Sequence, residues 1–363
     1  MEHSFHHAIE DHALAVVGSP EIDAGELVPG EPLRYTVLVD VRPDIVLGDL
    51  AGITVERPDP AVSEDDVDRM LGVLRERAAE LRPIVDRVVV EAGDVVTVDL
   101  ASRLGDEKQT RQGVLLDAGS GTFPLALERQ LVGQRLTNRV TLEVPYPAEY
   151  ANASLAGKTV TFDVQVNELH AKELPTLDDD FARDHGHCDT LAELRTRVRA
   201  DLERQAAGHA DARVREGMLE ALLARHEFDV PPSLVVRRGD TILASLGVRL
   251  PEGPEAEQML VRLREQVRPQ AEREIRADLL LDALATREAI EVTDADVDAE
   301  IAAMAARERQ APERMRALYD RAEARDALRT RVRRVRALEH VVSLAKIVPG
   351  GHRTDVAPPE QSR

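Results

Sequence analysis

Two groups of side chains in the sequence are of types that bind metal ions. His3, His7 and Asp11 would share one face of an N-terminal helix, and a metal site needs three protein ligands in a fixed geometry. The second group, residues 184–188, reads Asp-His-Gly-His-Cys and matches no standard zinc spacing. Terminal histidines are usually solvated, and a loop before a helix cap explains the second group equally well. We therefore expect no metal and no other cofactor.

A run of six arginines between Arg325 and Arg336 could contact the phosphates of a nucleic acid. Phosphate binding needs a basic surface, whereas the chain has 47 basic and 67 acidic side chains and a formal net charge of −20. We expect the run to be a solvated helix face, with Asp326 and Glu339 nearby, and we expect no nucleic-acid partner.

Other classes of function are also disfavoured by what the sequence lacks. No stretch approaches the roughly 18 uncharged apolar residues of a membrane span, so no membrane partner is expected. The sequence contains no glycine-rich phosphate loop of the Walker type, so no ATP cycle is expected. The single cysteine, Cys188, excludes an intramolecular disulfide and favours the reducing cytoplasm.

Aromatic residues are rare in this chain. It has five Phe, four Tyr and no Trp among its 363 residues. Aromatic side chains dominate tight interfaces and small-ligand pockets. Leu, Val, Ile and Ala must therefore form both the core and any binding surface.

Hydrophobic patterning divides the sequence into a mixed first half and a helical second half. Residues 1–60 predict a helix followed by strands at 33–41 and 53–56, and residues 61–84 predict one linker helix that begins at Ser63 and stops at Pro83. Residues 85–171 predict a small α+β domain. Its strand-like segments are 88–90, 95–100, 114–116, 140–144 and 159–166, with a short helix at 126–132.

Residues 172–348 predict an all-helical domain, followed by a disordered tail at 349–363. Thr190 and Glu193 form a capping box, Pro231-Pro232 separates two helices, and Thr293 caps a later helix. A last helix is expected from about Pro312 to Lys346.

Five segments carry a family resemblance. They are GDVVTVD at 93–99, GSGTF at 119–123, LAGK at 155–158, ELPTLDDDFA at 173–182 and IEVTD at 290–294. In this order they resemble the trigger factor family, the bacterial ribosome-associated chaperones that carry a peptidyl-prolyl isomerase domain. The resemblance covers roughly residues 8–348. It implies a multidomain α+β protein with a small FKBP-like sheet-plus-helix domain and an all-helical, two-armed chaperone domain.

The resemblance also implies a proline-binding pocket. FKBP-type isomerases hold the proline ring in an aromatic bowl and bind the substrate carbonyl through a backbone N–H. Leu127 and Leu100 stand where the family has aromatic residues, and Pro124, which lacks an N–H, stands at the carbonyl-binding position. The implied pocket positions are Leu100, Phe123, Pro124, Leu127, Tyr150 and Phe162.

Isomerisation breaks no bond, so the resemblance implies no catalytic nucleophile. The three changes in the pocket favour a domain that binds clients with weak or lost isomerase activity. The two aromatic positions also have a purely structural interpretation, because Tyr150 and Phe162 would suit the core of a small β-rich domain equally well.

The resemblance further implies two helical arms that enclose unfolded segments. An arm that grips many clients needs exposed, adaptable apolar side chains. In one arm the candidates are Leu234, Val235, Ile242, Leu243, Leu246 and Val248; in the other they are Met304, Met315, Leu318 and Tyr319. For any single one of these residues, packing between helices is the alternative.

The family docks on the ribosome through a Gly-Phe-Arg-x-Gly-Lys signature. This string does not occur in the sequence, and residues 1–90 are acidic, so docking by this route is not expected. We expect residues 1–60 to be a remnant of the ribosome-binding domain. A misplaced start codon is the alternative explanation.

Three functions remain open at this point. The first is an ATP-independent cytoplasmic chaperone whose partners are unfolded or nascent polypeptides. The second is an active peptidyl-prolyl isomerase. The third is a dedicated assembly or export chaperone with one client family. The sequence predicts no oligomeric state.

Overall fold

A computed structural model of the chain describes residues 2–24, 35–50, 52–104, 107–118, 130–147, 155, 157–247 and 254–350. The chain forms two compact units. One unit is contiguous and comprises residues 61–205. The other is discontinuous, because it combines residues 1–60 with residues 206–363.

The described part of residues 2–60 folds into a helix, a two-stranded ribbon and one further strand. These are α1 (Glu2–Asp11), β1 (Val16–Ala24), β2 (Tyr35–Val41) and β3 (Thr54–Arg57). β1 and β2 are antiparallel, with an irregular register between Val17 and Glu21. The sequence patterns predicted β2 and β3 but missed β1, because Gly18 and Pro20 interrupt its alternation.

The contiguous unit begins with a helix and continues as a sheet. Its first elements are α2 (Glu64–Arg77), β4 (Glu80–Pro83), β5 (Val95–Leu104), β6 (Glu107–Asp117), β7 (Arg139–Pro145) and β8 (Thr159–Glu173). The strand order is β4-β8-β5-β6, and β7 also pairs with β8. β4 and β7 pair with opposite ends of the long strand β8.

Two expectations about this unit were wrong. The linker helix does not reach Pro83, since it ends at Arg77 and the next residues form β4. Residues 88–90 form no strand, and Val89 makes only an isolated bridge to Arg135. The helix predicted at 126–132 lies almost entirely outside the described residues.

Helices dominate the rest of the chain. They are α3 (Asp179–Gly186), α4 (Leu191–Arg225), α5 (Pro232–Ser245), α6 (Pro254–Arg287), α7 (Asp294–Arg307), α8 (Pro312–Leu318) and α9 (Ala322–Leu344). The single last helix predicted from Pro312 to Lys346 is therefore wrong, because Tyr319 ends α8 and a new helix begins at Ala322.

The last described residues pair with β3, near the start of the chain. A short strand, β9 (Lys346–Pro349), pairs in parallel with β3, and the Gly350 N–H donates to the carbonyl of Arg57 at 2.8 Å. The predicted tail thus starts later than residue 349, and residues 351–363 lie outside the described residues. Val55 of β3 is buried in a core that includes Met218 of α4 and Leu284 of α6.

A cluster of charged side chains joins three helices of the discontinuous unit. Arg334 of α9 binds Asp282 of α6 through Nε at 2.7 Å and Asp278 through Nη1 at 2.7 Å. Arg238 of α5 reaches Asp278 at 2.5 Å, and Arg42, which follows β2, reaches Asp282 at 2.5 Å. Each acid therefore joins two arginines from different elements.

These contacts correct the prediction of a solvated arginine face. Further ion pairs join α9 to α7: Arg325 to Asp298, Arg329 to Asp294, and Arg336 to Asp296. The Arg333 guanidinium donates to the carbonyl of Ile290 at 2.9 Å. Most of the run therefore holds α9 against α6 and α7. The sequence could not show this, because the acidic partners are far away in the chain, for example 27 residues for Arg325–Asp298 and 52 residues for Arg334–Asp282.

Candidate functional site

Two positions of the implied proline pocket are described, and both lie on one face of the sheet. Leu100 on β5 pairs with Val164 on β8, and Phe162 on β8 lies opposite Leu142 on β7. Each of Leu100 and Phe162 is only 6% exposed, within the hydrophobic core of the sheet. The described residues thus favour a core role for these two side chains. The positions Phe123, Pro124, Leu127 and Tyr150 lie outside the described residues.

A buried carboxylate fixes the turn that leads into β5. Asp94 accepts hydrogen bonds from both Nη atoms of Arg87, at 2.6 and 2.7 Å, and from the Glu91 N–H at 2.7 Å. The Arg87 guanidinium, helped by the Glu91 amide, lowers the pKa of Asp94 below its ordinary value, although burial acts in the opposite direction. This charge orders the start of β5 and offers no free group for chemistry.

Three of the predicted arm residues are buried within the protein. Leu234 packs in a cluster with Ile275 and Leu279 of α6, and Met315 packs with Ile301 of α7. Leu243 is also buried. The prediction that these residues contact clients is therefore corrected, since their surface is already covered by neighbouring helices.

Other predicted arm residues keep apolar surface in solvent. Leu246, which caps α5, is 67% exposed, and Leu318 at the end of α8 is 64% exposed. Val235, Ile242, Met304 and Tyr319 are half-buried, and the Tyr319 hydroxyl lies 3.9 Å from the Met304 sulfur. Val248 lies outside the described residues.

A groove of about 510 Å³ runs along the antiparallel pair α5 and α6. Val235 and Val236 line it on one side, and Arg264 and Arg268 line it on the other. Arg264 is held in place by Asp240, through hydrogen bonds of 2.7 and 2.8 Å. The groove therefore has an aliphatic floor and a charged rim.

A second groove, of about 700 Å³, lies between the β1–β2 ribbon and α5. Leu38, Val236 and Pro232 supply its apolar lining, and Glu21 and Arg237 supply charge. Leu38 and Val236 were not predicted as candidates. The sequence could not identify them, because an apolar residue in an amphipathic pattern gives no indication whether its side chain is exposed.

The ribbon is attached to α5 where Asp40 and Gly18 meet Ser233. The Ser233 N–H donates to Asp40 at 2.8 Å, which caps a helix whose N-cap residue is Pro231. A Cβ on Gly18 would lie 2.5 Å from the Ser233 hydroxyl oxygen, and Gly18 has φ of +80°. Glycine is therefore required at this point of the second groove.

Of the candidate metal ligands, His3, His7 and Asp11 lie in α1, and those at 184–188 have structural roles. His187 is the C-cap of α3 in a left-handed conformation, Cys188 is buried, and the His185 ring lies 5.1 Å from that of Phe181. Over the described ranges, no three His, Cys, Asp or Glu side chains come together as metal ligands do. The helices within those ranges include none that is both long and apolar enough to cross a membrane.

Three family models match consecutive parts of the chain. The model of the bacterial trigger factor protein matches residues 1–74, the model of FKBP-type peptidyl-prolyl cis-trans isomerase matches residues 87–167, and the model of the bacterial trigger factor C-terminus matches residues 190–343. The FKBP-type match coincides with strands β5 to β8.

Relatives agree with this order of domains. Trigger factor of Moorella thermoacetica is 35% identical over 328 residues, which cover 86% of this chain and 72% of the relative. Trigger factor of Bacillus subtilis is 36% identical over 310 residues, covering 82% of this chain and 73% of the relative. A solved structure, described as promiscuous substrate recognition in folding and assembly activities of the trigger factor chaperone, shares the fold with a TM-score of 0.50 at 22% identity, over 93% of this chain and 82% of that chain. The protein therefore belongs to the bacterial trigger factor family and is a molecular chaperone with an FKBP-type domain.

Proposed function

We propose that the protein holds unfolded or nascent polypeptides on aliphatic side chains of its helical arms, without ATP and in the cytoplasm. One observation carries this proposal: Leu246 and Leu318, at the ends of α5 and α8, leave about two thirds of their surface in solvent. Exposed apolar side chains at helix ends contribute nothing to the core. Where several exposed apolar side chains lie together, they form a surface that can bind other chains.

The chemistry of these surfaces suits clients without a common sequence. Aliphatic side chains impose no hydrogen-bond pattern, so they accept any apolar segment. The two grooves along α5 add Val235, Val236 and Leu38 to the apolar surface. Their charged rims, which include Arg264 and Glu21, keep the surface hydrated when no client is bound. Few aromatic anchors are present, which favours weak, reversible holding over tight binding.

Suppression of aggregation tests the role of the arms. The purified protein should suppress aggregation of a chemically denatured client near one-to-one stoichiometry. The double variant Leu246→Ser/Leu318→Ser should need several-fold more protein, since each lost contact removes about 1 kcal/mol of apolar burial.

The matched control is Val46→Ser/Val85→Ser, which removes two exposed valines away from the arms and the grooves. It should behave as the unaltered protein does. Equal loss in both double variants would assign the effect to surface hydrophobicity in general. No suppression by the unaltered protein at tenfold excess would refute the proposal.

We also propose that the FKBP-like domain binds clients with little or no isomerase activity. The support is in the sequence: Pro124 has no N–H for the substrate carbonyl, and Leu127 replaces an aromatic floor. Isomerisation crosses a barrier of about 18–20 kcal/mol, and a catalyst acts by favouring the twisted amide over the planar one. A pocket without the N–H and the floor would bind apolar segments but stabilise the twisted amide poorly.

Proline-limited refolding of a test protein checks this second proposal. The unaltered chain at catalytic concentration should give no acceleration, whereas Pro124→Ile restores an N–H and should raise the rate, by up to about tenfold for one hydrogen bond. Leu125→Ile is the matched control, because it changes a neighbouring side chain and adds no donor. Acceleration by the unaltered chain would instead favour the active isomerase. Ribosome docking is no part of either proposal.

A further inference from the structure

A buried histidine connects the end of the long helix α4 to the segment between β2 and β3. His226 is 7% exposed. Its Nδ1 lies 2.7 Å from the carbonyl oxygen of Leu222, and its Nε2 lies 3.1 Å from the amide nitrogen of Gly48. A carbonyl can only accept a hydrogen bond and an amide N–H can only donate one. These two partners therefore require a neutral ring, with its proton on Nδ1 and a lone pair on Nε2.

We propose that His226 is a proton-sensitive latch that holds residues 42–50 against the helical body of the discontinuous unit. When the ring takes up a second proton, Nε2 becomes a donor and faces the N–H of Gly48. The hydrogen bond is then lost, and two like partial charges point at each other. Histidine ordinarily takes up this proton near pH 6.5, within the range that cells experience.

The segment that the latch holds carries apolar side chains into the core. Leu50 is buried, and Ile45 and Leu47 pack against the same cluster as Met218. The His226–Gly48 hydrogen bond and Arg287 add polar contacts to this apolar packing. Opening the latch therefore weakens the attachment of the whole segment, and its apolar side chains would become more accessible.

Charged side chains lie beside the latch. Arg287 donates to the carbonyl of Gly48 at 3.0 Å, so a cation already sits beside this residue. Glu288, the residue after α6, pairs with Arg287 at 2.9 Å and with His340 at 3.4 Å. The exposed acids Asp49 and Glu227 adjoin Gly48 and His226 in the chain. Because a proton on Nε2 removes the acceptor of the Gly48 N–H, the doubly protonated ring and the closed latch exclude each other.

Amide hydrogen exchange at Gly48, measured by NMR at pH 7.5 and 5.5, tests the latch directly. Gly350 is the internal reference, because its N–H donates to a backbone carbonyl that does not titrate. In the unaltered protein, the protection of Gly48 relative to Gly350 should fall about five- to tenfold at pH 5.5, the loss expected for one hydrogen bond. His226→Gln offers a side-chain oxygen to the Gly48 N–H and does not titrate, so its ratio should stay constant.

His340→Gln is the matched control, because it makes the same substitution at another histidine of the region that does not contact Gly48. It should behave as the unaltered protein does. A constant ratio in the unaltered protein, or an equal fall in His226→Gln, would overturn the proposal. If His226→Gln fails to fold, the ¹⁵N chemical shifts of the His226 ring in the unaltered protein at pH 7.5 show which ring nitrogen carries the proton. A neutral ring with its proton on Nδ1 is expected, and a proton on Nε2 would refute the latch.

Discussion

At the scale of single residues, Asp94 shows how a buried charge is made compatible with the fold. Its three hydrogen bonds come from two groups only, the guanidinium of Arg87 and the amide of Glu91. The bidentate geometry with Arg87 is the strongest form of such a contact. Because the pKa of Asp94 is lowered in the folded unit, its contribution to stability is present above the ordinary carboxyl pKa of about 3.9 and is lost as pH falls below it.

Asp94→Asn should destabilise the sheet of the contiguous unit by about 2 kcal/mol, since the amide loses the charge and turns a donor toward Arg87. Hydrogen exchange of the β5 amides should show this as a roughly 30-fold loss of protection. The variant should also lose less stability than the unaltered protein between pH 5 and pH 3. Glu173→Gln, on an exposed pair with Arg82 in the same sheet, is the control and should change little. Equal effects in both variants would contradict the argument.

The sequence could predict some residue roles and not others, for a physical reason. Ser63 and Thr293 were predicted as caps because a cap depends on residues three apart, and both form complete capping boxes. Leu234 and Leu246 were predicted alike, yet one is buried and the other exposed. The difference depends on α6, which is distant in sequence, and local periodicity contains no information about it.

At the scale of elements, the α7 cap illustrates how a local signal is reinforced by tertiary contact. Thr293 and Asp296 exchange hydrogen bonds at 2.8 and 3.3 Å, and Arg336 of α9 binds the same carboxylate. Arg336, with Thr293, holds the pKa of Asp296 far below its ordinary value. The cap is therefore fully formed above the ordinary carboxyl pKa and weakens only as pH falls well below it.

Thr293→Ala should cost α7 about 1 kcal/mol, because one N–H at the start of the helix loses its acceptor. Hydrogen exchange at residues 294–298 should accelerate about fivefold. Thr330→Ala is the matched control, since that hydroxyl only donates to the Asp326 carbonyl within α9. It should be neutral or slightly stabilising, because alanine is the better helix former. A loss at Thr330 as large as that at Thr293 would refute the cap's role.

The elements that the sequence patterns missed are those decided by partners far along the chain. β4 follows a helical pattern without interruption, and its strand conformation comes from pairing with the end of β8. The break at Tyr319 between α8 and α9 contains neither glycine nor proline, so no local signal marks it. In contrast, residues 95–100 of β5 and 159–166 of β8 were predicted because buried residues alternate there, whereas the last residues of both strands lack this alternation and were missed.

At the scale of the whole molecule, the pairing of β9 with β3 closes the discontinuous unit. A chain that stops after Ala345 should lose this pairing, which costs about 2–4 kcal/mol of backbone hydrogen bonding and should lower the melting temperature of the unit. The β3 amides should lose protection from exchange. A chain that stops after Gly350 keeps the strand and the Gly350 hydrogen bond, so it is the control. Retained protection of β3 in the shorter chain would contradict this account.

The pairing of β3 with β9 also delays the folding of the discontinuous unit during synthesis. A ribosome adds about 5–20 residues per second, so β3 leaves the ribosome roughly 15–60 s before β9 is made. Residues 61–205 are contiguous and can fold as soon as they emerge, whereas residues 1–60 must wait for a core that is completed from the far end of the chain. Ile53 and Val55, both buried in the finished protein, stay uncovered for this interval. The chaperone thus exposes, while it is being made, apolar segments of the kind that we propose it holds.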